Sequence, residues 1–439
     1  MALDGVGRPA RLAQRSKNDH VHPMTNKGDR ALQGLPVTLA DIEAAATAIA
    51  GAVELTPARH SRVFSSLAGT GIFFKFENLQ FTASFKERGA LNKLLSLDES
   101  ARKHGVVAMS AGNHAQGVAY HAGRLKIPAT IVMPEGTPFT KIKHTRDFGA
   151  RVLIEGSSLS QSFARAQEFA QTDNLTFIHP YDDPLVIAGQ GTVALEFLRQ
   201  VPALDILVVP VGGGGLISGM SIAAKSLNPR LRIFGVEAKL YPSMYNAMKH
   251  EETVCGGQTI AEGIAVKDAG AVARQVVSAL VDDILLAGEP EIEAAVVKLL
   301  EIEKTLAEGA GAAALAAVLA HPKLFSGRNT GVVISGGNID MRLLSNVILR
   351  ELAREGRILS LIVGIEDRPG VLARVASLIG DAGGNILEVS HNRLMTGASA
   401  KSADLGLVIE ARDDTHADEI KARIEQAGYA VRETDHPAH

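Results

Sequence analysis

Residues 205–227 read DILVVPVGGGGLISGMSIAAKSL, and this stretch decides the fold of the 439-residue chain. It begins with an apolar run, continues with four consecutive glycines and ends in small residues of helical composition. An apolar run of this kind is typical of a strand that is buried on both faces of a parallel sheet. The stretch therefore predicts a strand, a glycine turn and a helix, which is the repeating unit of an open α/β sheet.

Strands that alternate with helices are predicted on both sides of this stretch. Residues 105–125 and 329–340 repeat the strand and the glycine turn. Further strands are predicted at residues 71–79, 128–134, 150–156 and 232–238. This alternation indicates a mostly parallel α/β body, which we place at residues 36–350 with a smaller subdomain at about residues 105–180.

The two ends of the chain differ from this body. Residues 1–35 are polar and contain no apolar run, so we expect a disordered leader, with Met1 and Met24 as alternative starts. The charged residues 351–357 are predicted to be a linker. Residues 358–434 follow the order strand, helix, strand, strand, helix, strand, which predicts a separate ferredoxin-like domain.

Composition excludes several classes of function. The net charge of -3 gives no general attraction to nucleic acid. The single cysteine, Cys255, excludes an internal disulfide framework and a multi-cysteine metal site. Since the chain also lacks an apolar run long enough to cross a bilayer, we expect no nucleic-acid, membrane or metal partner and a cytoplasmic location.

Two segments hold residue types that suit catalysis. In SFKERGA, residues 84–90, Phe85 suggests that Lys86 is partly buried, which would lower its pKa and favour Schiff-base chemistry; a solvated lysine is the alternative. In SAGNHAQG, residues 110–117, a turn after a buried strand would present backbone N–H groups to a carboxylate. A plain turn capped by Asn113 is the alternative for the second segment.

The remaining candidates are a glycine-rich segment that suits a phosphate and two single residues, Ser335 and Glu308. The glycines in residues 211–219 would let the backbone approach a small phosphate at a helix N-terminus, unless they form only a structural turn. The segment lacks the GK[ST] of a Walker loop. Ser335 follows the late strand, and Glu308 begins an alanine-rich helix as a further candidate.

In this order, the segments resemble the threonine dehydratase group of the tryptophan-synthase-β-like (fold type II) pyridoxal-phosphate enzymes. The resemblance covers residues 39–357 and includes HPYDDPLVIAGQGT, residues 179–192. The tail resembles an ACT domain, with DRPG at residues 367–370 and GGNI at residues 383–386 in the ligand-binding turn. The resemblance implies open parallel sheets in two subdomains, plus a regulatory ACT domain.

The resemblance also implies a role for each motif residue. Lys86 is expected to form a Schiff base with pyridoxal 5'-phosphate and to transfer the α-proton of the substrate. Phe85 would pack against the cofactor ring, Asn113 would hydrogen-bond its phenolic oxygen, and Ser335 would meet its pyridine nitrogen. The expected phosphate cradle consists of Gly212, Gly213, Gly214, Gly215 and Leu216. The substrate carboxylate is expected at Ser110, Gly112, Asn113 and His114.

The activity implied is dehydration and deamination of L-threonine to 2-oxobutanoate and ammonia, with L-serine to pyruvate as a side reaction. Isoleucine or valine would bind the ACT domain, and the chain would form a homodimer or homotetramer. A serine dehydratase or serine racemase of the same fold, and an inactive amino-acid sensor, remain alternatives. Related racemases have a serine where this chain has Ala111, and acidic metal ligands of which only Glu237 is kept, so we expect a poor racemase without a metal.

Overall fold

The computed structural model describes residues 31–393 and 401–434, so most of the predicted leader lies outside the described residues. In chain order, the strands are β1 (Ala58–Ser61), β2 (Gly71–Phe76), β3 (Val106–Met109), β4 (Ala129–Met133), β5 (Arg151–Ile154), β6 (Thr176–Phe177), β7 (Ile206–Pro210), β8 (Arg232–Ala238), β9 (Asp283–Ala287), β10 (Asn329–Ile334), β11 (Ile358–Glu366), β12 (Asn385–Asn392), β13 (Ser402–Glu410) and β14 (Ala430–Glu433).

The helices whose bounds lie within the described residues are numbered in the same way. They are α1 (Leu39–Ile49), α2 (Arg62–Ala68), α3 (Lys86–Leu95), α4 (Glu99–His104), α5 (Asn113–Leu125), α6 (Phe139–Asp147), α7 (Leu159–Thr172), α8 (Pro184–Gln200), α9 (Gly215–Leu227), α10 (Ser243–Lys249), α11 (Ala271–Leu280), α12 (Glu289–Lys298), α13 (Gly309–Ala320), α14 (Pro322–Phe325), α15 (Met341–Arg354), α16 (Val371–Asp381) and α17 (Asp414–Gln426). None of the helices in this part of the chain is long and apolar enough to cross a membrane.

Two parallel sheets form the main body. The larger sheet has the strand order β1-β2-β10-β7-β8-β9, in which β1 is antiparallel to β2 and the other pairs are parallel. The smaller sheet has the order β5-β4-β3-β6, and its pairs are all parallel. The predicted open α/β fold with a smaller subdomain is therefore confirmed.

Glycine allows the helices of the larger subdomain to pack closely. α8 lies against α9, and a Cβ added to Gly191 would come within 2.8 Å of the Gly219 carbonyl oxygen. A side chain at either glycine would push the two helices apart. α8 begins at Pro184, where the Asp183 side chain accepts hydrogen bonds from the first-turn amides of Leu185 and Val186.

The C-terminal sheet has the order β12-β13-β11-β14, and its pairs are antiparallel. With α16 and α17 it forms the predicted ferredoxin-like unit around a hydrophobic core of its own. The predicted linker, residues 351–357, begins in the last turn of α15, because that helix continues to Arg354.

Candidate active site

Lys86 is the first residue of α3, at the place where the segment after β6 of the smaller sheet meets the segment after β10 of the larger sheet; we call this place the crevice. Its Nζ donates a hydrogen bond to the carbonyl oxygen of Pro180 at 2.7 Å and lies 5.2 Å from the centre of the Phe85 ring. Burial lowers the pKa of this amine to about 8, although the negative charge of Glu308 acts in the opposite direction. A large share of Lys86 is therefore a free amine, and hence a base, in mildly alkaline solution.

A buried ion network holds α3 in place. The Arg88 guanidinium, which is fully buried, binds the Glu77 carboxylate at 2.7 Å and the Glu196 carboxylate at 2.6 Å. Lys75 binds Glu196 at 2.6 Å. Because two cations meet two carboxylates, the charges are balanced, as buried charges require. No local pattern reveals this network, because Glu77, Arg88 and Glu196 lie on separate segments of the chain.

The four glycines form a tight loop between β7 and α9. Gly214 has a φ of +92°, a conformation that suits glycine, and an added Cβ would lie 2.7 Å from the Cβ of Ala273. A Cβ on Gly213 would overlap the ring of Tyr181. The loop leads into α9, with Leu216 in its first turn, and the first amides of a helix have no acceptor within the helix. These amides and the helix dipole suit a phosphate.

The segment after β3 leads into α5, which packs on the start of α3: a Cβ on Gly117 would lie 3.3 Å from the Lys86 carbonyl oxygen. Gly112 is the N-cap of α5, and its N–H donates to the Ser110 hydroxyl at 3.1 Å. His114 is buried, its Nε2 lies 2.9 Å from the Ile178 carbonyl oxygen, and burial lowers its pKa to about 3. The ring is therefore neutral and directed at the backbone, so the contact that His114 can offer a substrate carboxylate is its backbone N–H.

Ser335 follows β10 and lies next to the start of α3. Its carbonyl oxygen accepts a hydrogen bond from the Phe85 backbone N–H at 3.1 Å, and its side chain is buried. Ser84 forms a β-bridge with Gly336. The segments that follow β3, β7 and β10 thus meet at one crevice beside Lys86, as expected at the carboxyl ends of parallel strands.

Family comparison agrees with this geometry. Residues 49–336 match the family model described as pyridoxal-phosphate dependent enzyme, and residues 359–428 match the ACT domain. The chain belongs to the pyridoxal-phosphate dependent enzymes. The enzyme is 43% identical over 398 residues to an L-threonine ammonia-lyase of Thermotoga maritima, an alignment that covers 90% of this chain and 99% of the relative.

Solved structures show the same architecture. The processed form of threonine deaminase isoform 2 from Solanum lycopersicum superposes with a TM-score of 0.68 at 33% identity, covering 74% of the enzyme and 89% of that chain. A serine racemase from Dictyostelium discoideum superposes with a TM-score of 0.65 at 36% identity, covering 70% of the enzyme and 99% of that chain. The predicted fold, the pyridoxal phosphate cofactor and the carbon–nitrogen lyase class are confirmed.

The residues of the crevice fit this cofactor. The glycine loop has room for no side chain, because a Cβ at Gly213 would overlap the Tyr181 ring and one at Gly214 would crowd Ala273, and it offers the amides of a helix N-terminus to a phosphate. Lys86 supplies an amine of lowered pKa that is hydrogen-bonded to Pro180, the neighbour of Tyr181 in the chain. The individual roles of the predicted site residues remain predictions.

Two side chains in the crevice were not assigned a role from the sequence. Glu308 accepts a hydrogen bond from Asn113 Nδ2 at 2.6 Å, and Asn338 donates one to Asn113 Oδ1 at 2.6 Å. Glu308 was noted only as a candidate, and Asn338 was not noted, although it lies in the SGGNID turn. No local pattern shows that the two meet at Asn113.

Glu237 has a structural role in this fold. Its buried carboxylate accepts hydrogen bonds from the backbone N–H groups of Met244 and Tyr245, both at 2.8 Å, at the start of α10. Burial raises its pKa to about 7. Within residues 31–393 and 401–434, no group of three or more His, Cys, Asp or Glu side chains is arranged to hold a metal.

Proposed function

We propose that this enzyme removes ammonia from L-threonine by way of dehydration and produces 2-oxobutanoate, with L-serine to pyruvate as a side reaction. The observation that carries the proposal is the Lys86 amine, whose pKa is lowered and which is hydrogen-bonded to Pro180, next to the Tyr181 residue that packs on the glycine loop. The name of the relative at 43% identity supports threonine as the preferred substrate.

Each part of the crevice has a task in this reaction. The glycine loop would hold the cofactor phosphate, Phe85 would pack on the ring, and Ser335 would face the pyridine nitrogen. Bound pyridoxal phosphate supplies an electron sink for the bond that breaks at the substrate α-carbon. The backbone N–H groups at residues 110–114 would hold the substrate carboxylate, which orients the α-hydrogen toward Lys86.

Lys86 would act as the base. As a free amine it would take the α-proton, and the β-hydroxyl would leave as water by taking up one proton, so that the proton removed and the proton added balance and an enamine is the product. After release, the enamine takes up water and loses ammonia, so threonine is converted to 2-oxobutanoate and ammonia with no net change in water. At the pyridine nitrogen, the neutral Ser335 would stabilise negative charge on the ring less than a carboxylate would, which would favour elimination.

We also propose that residues 36–350 are the catalytic domain, residues 351–357 the linker and residues 358–434 the regulatory domain. The separate core of the C-terminal sheet supports this division. Isoleucine or valine is the proposed effector, at the turn formed by residues 367–370 and 383–386. A homodimer or homotetramer and a cytoplasmic location remain predictions.

The test is formation of keto acid from L-threonine and L-serine by the wild type, Lys86→Ala and Lys93→Ala. Lys93 is the second lysine of α3, so its variant is the matched control. Loss of the base should lower kcat by about 10³-fold in Lys86→Ala, whereas Lys93→Ala should stay near the wild type. A wild type that binds amino acids but forms no keto acid would instead indicate a sensor, and wild-type turnover by Lys86→Ala would refute the assignment.

A further inference from the structure

A chain of hydrogen bonds fixes the amide of Asn113 at the crevice. The Asn338 side chain donates from Nδ2 to the Thr82 carbonyl oxygen at 2.8 Å and to Asn113 Oδ1 at 2.6 Å. A carbonyl can only accept, so the nitrogen of Asn338 must face Thr82, and its second hydrogen is then directed at Asn113. This identifies the atom of Asn113 that faces Asn338 as the oxygen.

The other end of the Asn113 amide is held by Glu308. Nδ2 of Asn113 donates to Glu308 Oε1 at 2.6 Å. An amide nitrogen has two hydrogens, and among the described residues no second acceptor lies within hydrogen-bonding distance of this one. One N–H of Asn113 is therefore available for a bound ligand, in a direction that Asn338 and Glu308 set together.

The backbone around Glu308 positions its carboxylate next to the Asn113 amide. Glu308 is the N-cap of α13, yet its side chain reaches across to Asn113 on α5 of the smaller subdomain. Its backbone N–H donates to the Gly336 carbonyl oxygen at 3.1 Å. A Cβ on Gly336 would lie 2.5 Å from Glu308 Oε1 and 3.1 Å from Asn113 Nδ2, so a larger residue would displace the contact.

We propose that Glu308 is a positioning residue that acts through Asn113, holding one N–H of the amide so that the other is directed at the phenolic oxygen of pyridoxal phosphate. The inference rests on the proposed function and on the contact with the phenolic oxygen that the family resemblance implies for Asn113, and it goes beyond them by naming the two residues that orient the amide. Asn338 orients the same amide by donating a hydrogen bond to its oxygen. The hydrogen bond spans both subdomains, so it also ties them together at the cofactor.

The charges around Glu308 favour measurement at pH 8. Burial raises the pKa of its carboxyl to about 7, while the Asn113 hydrogen bond and the positive charges of Lys141 and Lys86 lower it and Glu262 raises it. At pH 8 the carboxyl is mostly ionised and accepts the Asn113 N–H strongly, because hydrogen bonds to charged groups are the stronger kind.

The experiment measures the apparent Kd of the cofactor-free, full-length chain for pyridoxal phosphate. Glu308→Leu keeps the approximate size but removes the acceptor, and we expect the Kd to rise about tenfold. Glu308→Gln keeps an acceptor oxygen and should restore the Kd to within about threefold of the wild type. The pH midpoint of the bound cofactor's absorbance should move upward in Glu308→Leu and stay near the wild-type value in Glu308→Gln.

A double-mutant cycle separates positioning from a general structural role. If Glu308 acts through Asn113, Glu308→Leu should cause no further loss of affinity in an Asn113→Ala background. Equal losses in both backgrounds, or an unchanged Kd in Glu308→Leu, would overturn the proposal.

Two controls account for folding. Glu293→Gln removes a buried carboxylate that pairs with Arg350 and Arg354, away from the crevice, and should leave the cofactor Kd and absorbance unchanged. If Glu308→Leu does not fold, Asn338→Ala carries the same test, because it releases the Asn113 amide from the other side. Cofactor affinity does not depend on which amino acid reacts, so a failed threonine assay would refute the proposed substrate and leave this inference standing.

Discussion

Lys86→Met is expected to stabilise the cofactor-free protein at neutral pH. Burial lowers the pKa of Lys86 from the ordinary 10.5 to about 8. In the unfolded chain the amine keeps its proton up to about pH 10.5, so between the two values the unfolded state binds more protons and the free energy of unfolding rises with pH. At pH 7 the buried amine therefore destabilises the fold by about 3 kcal/mol.

The net gain from the substitution is smaller. Part of the Lys86 side chain is accessible to solvent, which reduces the electrostatic cost, and methionine loses the hydrogen bond to the Pro180 carbonyl, worth about 1 kcal/mol. We therefore expect Lys86→Met to stabilise the cofactor-free protein by about 1–2 kcal/mol at pH 7. For a body of this size the corresponding rise in Tm is about 1.5–3 °C. By pH 9.5 the electrostatic part should have fallen to less than half of its value at pH 7.

Thermal unfolding of the cofactor-free proteins at pH 7 and pH 9.5 is the assay. Lys75→Met is the matched control, because Lys75 is also a buried lysine but binds Glu196 at 2.6 Å and the Thr56 carbonyl oxygen at 2.6 Å. Lys75→Met leaves the Glu196 carboxylate without this cation, so we expect it to lower the free energy of unfolding by about 3–5 kcal/mol. The reasoning would be refuted if Lys86→Met had a lower Tm than the wild type at pH 7. It would also be refuted if the variant raised the Tm by the same amount at pH 7 and at pH 9.5.

Three other changes test the site and the domains. Gly213→Ala places a methyl group in the ring of Tyr181, so cofactor affinity should fall about tenfold or more, while Gly256→Ala, which has open space around it, should leave the Kd unchanged in the same titration. Ala111→Ser should introduce racemisation of L-serine, measured by chiral chromatography, because it adds a proton-carrying group in the segment after β3; substantial D-serine formation by the wild type would contradict the assumed role of Ala111. Removal of residues 358–439 should leave threonine turnover but abolish any response to isoleucine or valine, and inhibition that persists in the shortened chain would assign the effector site to the body.

The sequence alone was sufficient for the fold class. Each strand, glycine turn and helix is a local pattern, and residues 205–227 already contain a whole unit of it. The order of strands and helices in residues 358–434 likewise predicted the ferredoxin-like domain, because its elements follow one another with short connections. The positions of Lys86 and of the glycine loop at the start of helices were also readable, since both lie at the boundary of a local pattern.

The directions in which the site side chains point depend on parts of the chain that are remote in sequence. His114 follows Asn113 directly, yet its ring is turned to the backbone of Ile178 while the amide of Asn113 faces the crevice. Nothing in the local sequence distinguishes these two directions, because they depend on where Ile178 and Glu308 lie in the folded chain.

Tertiary structure alone decided which groups orient and tune the catalytic ones. Glu308 is 195 positions from Asn113 in sequence, and Asn338 is 225 positions from it, yet both are hydrogen-bonded to its amide. The lowered pKa of Lys86 arises in the same way, from desolvation by segments that surround its amine in the folded chain. Hydrogen bonding and desolvation act over a few ångströms of space, whereas a sequence pattern records only neighbours along the chain.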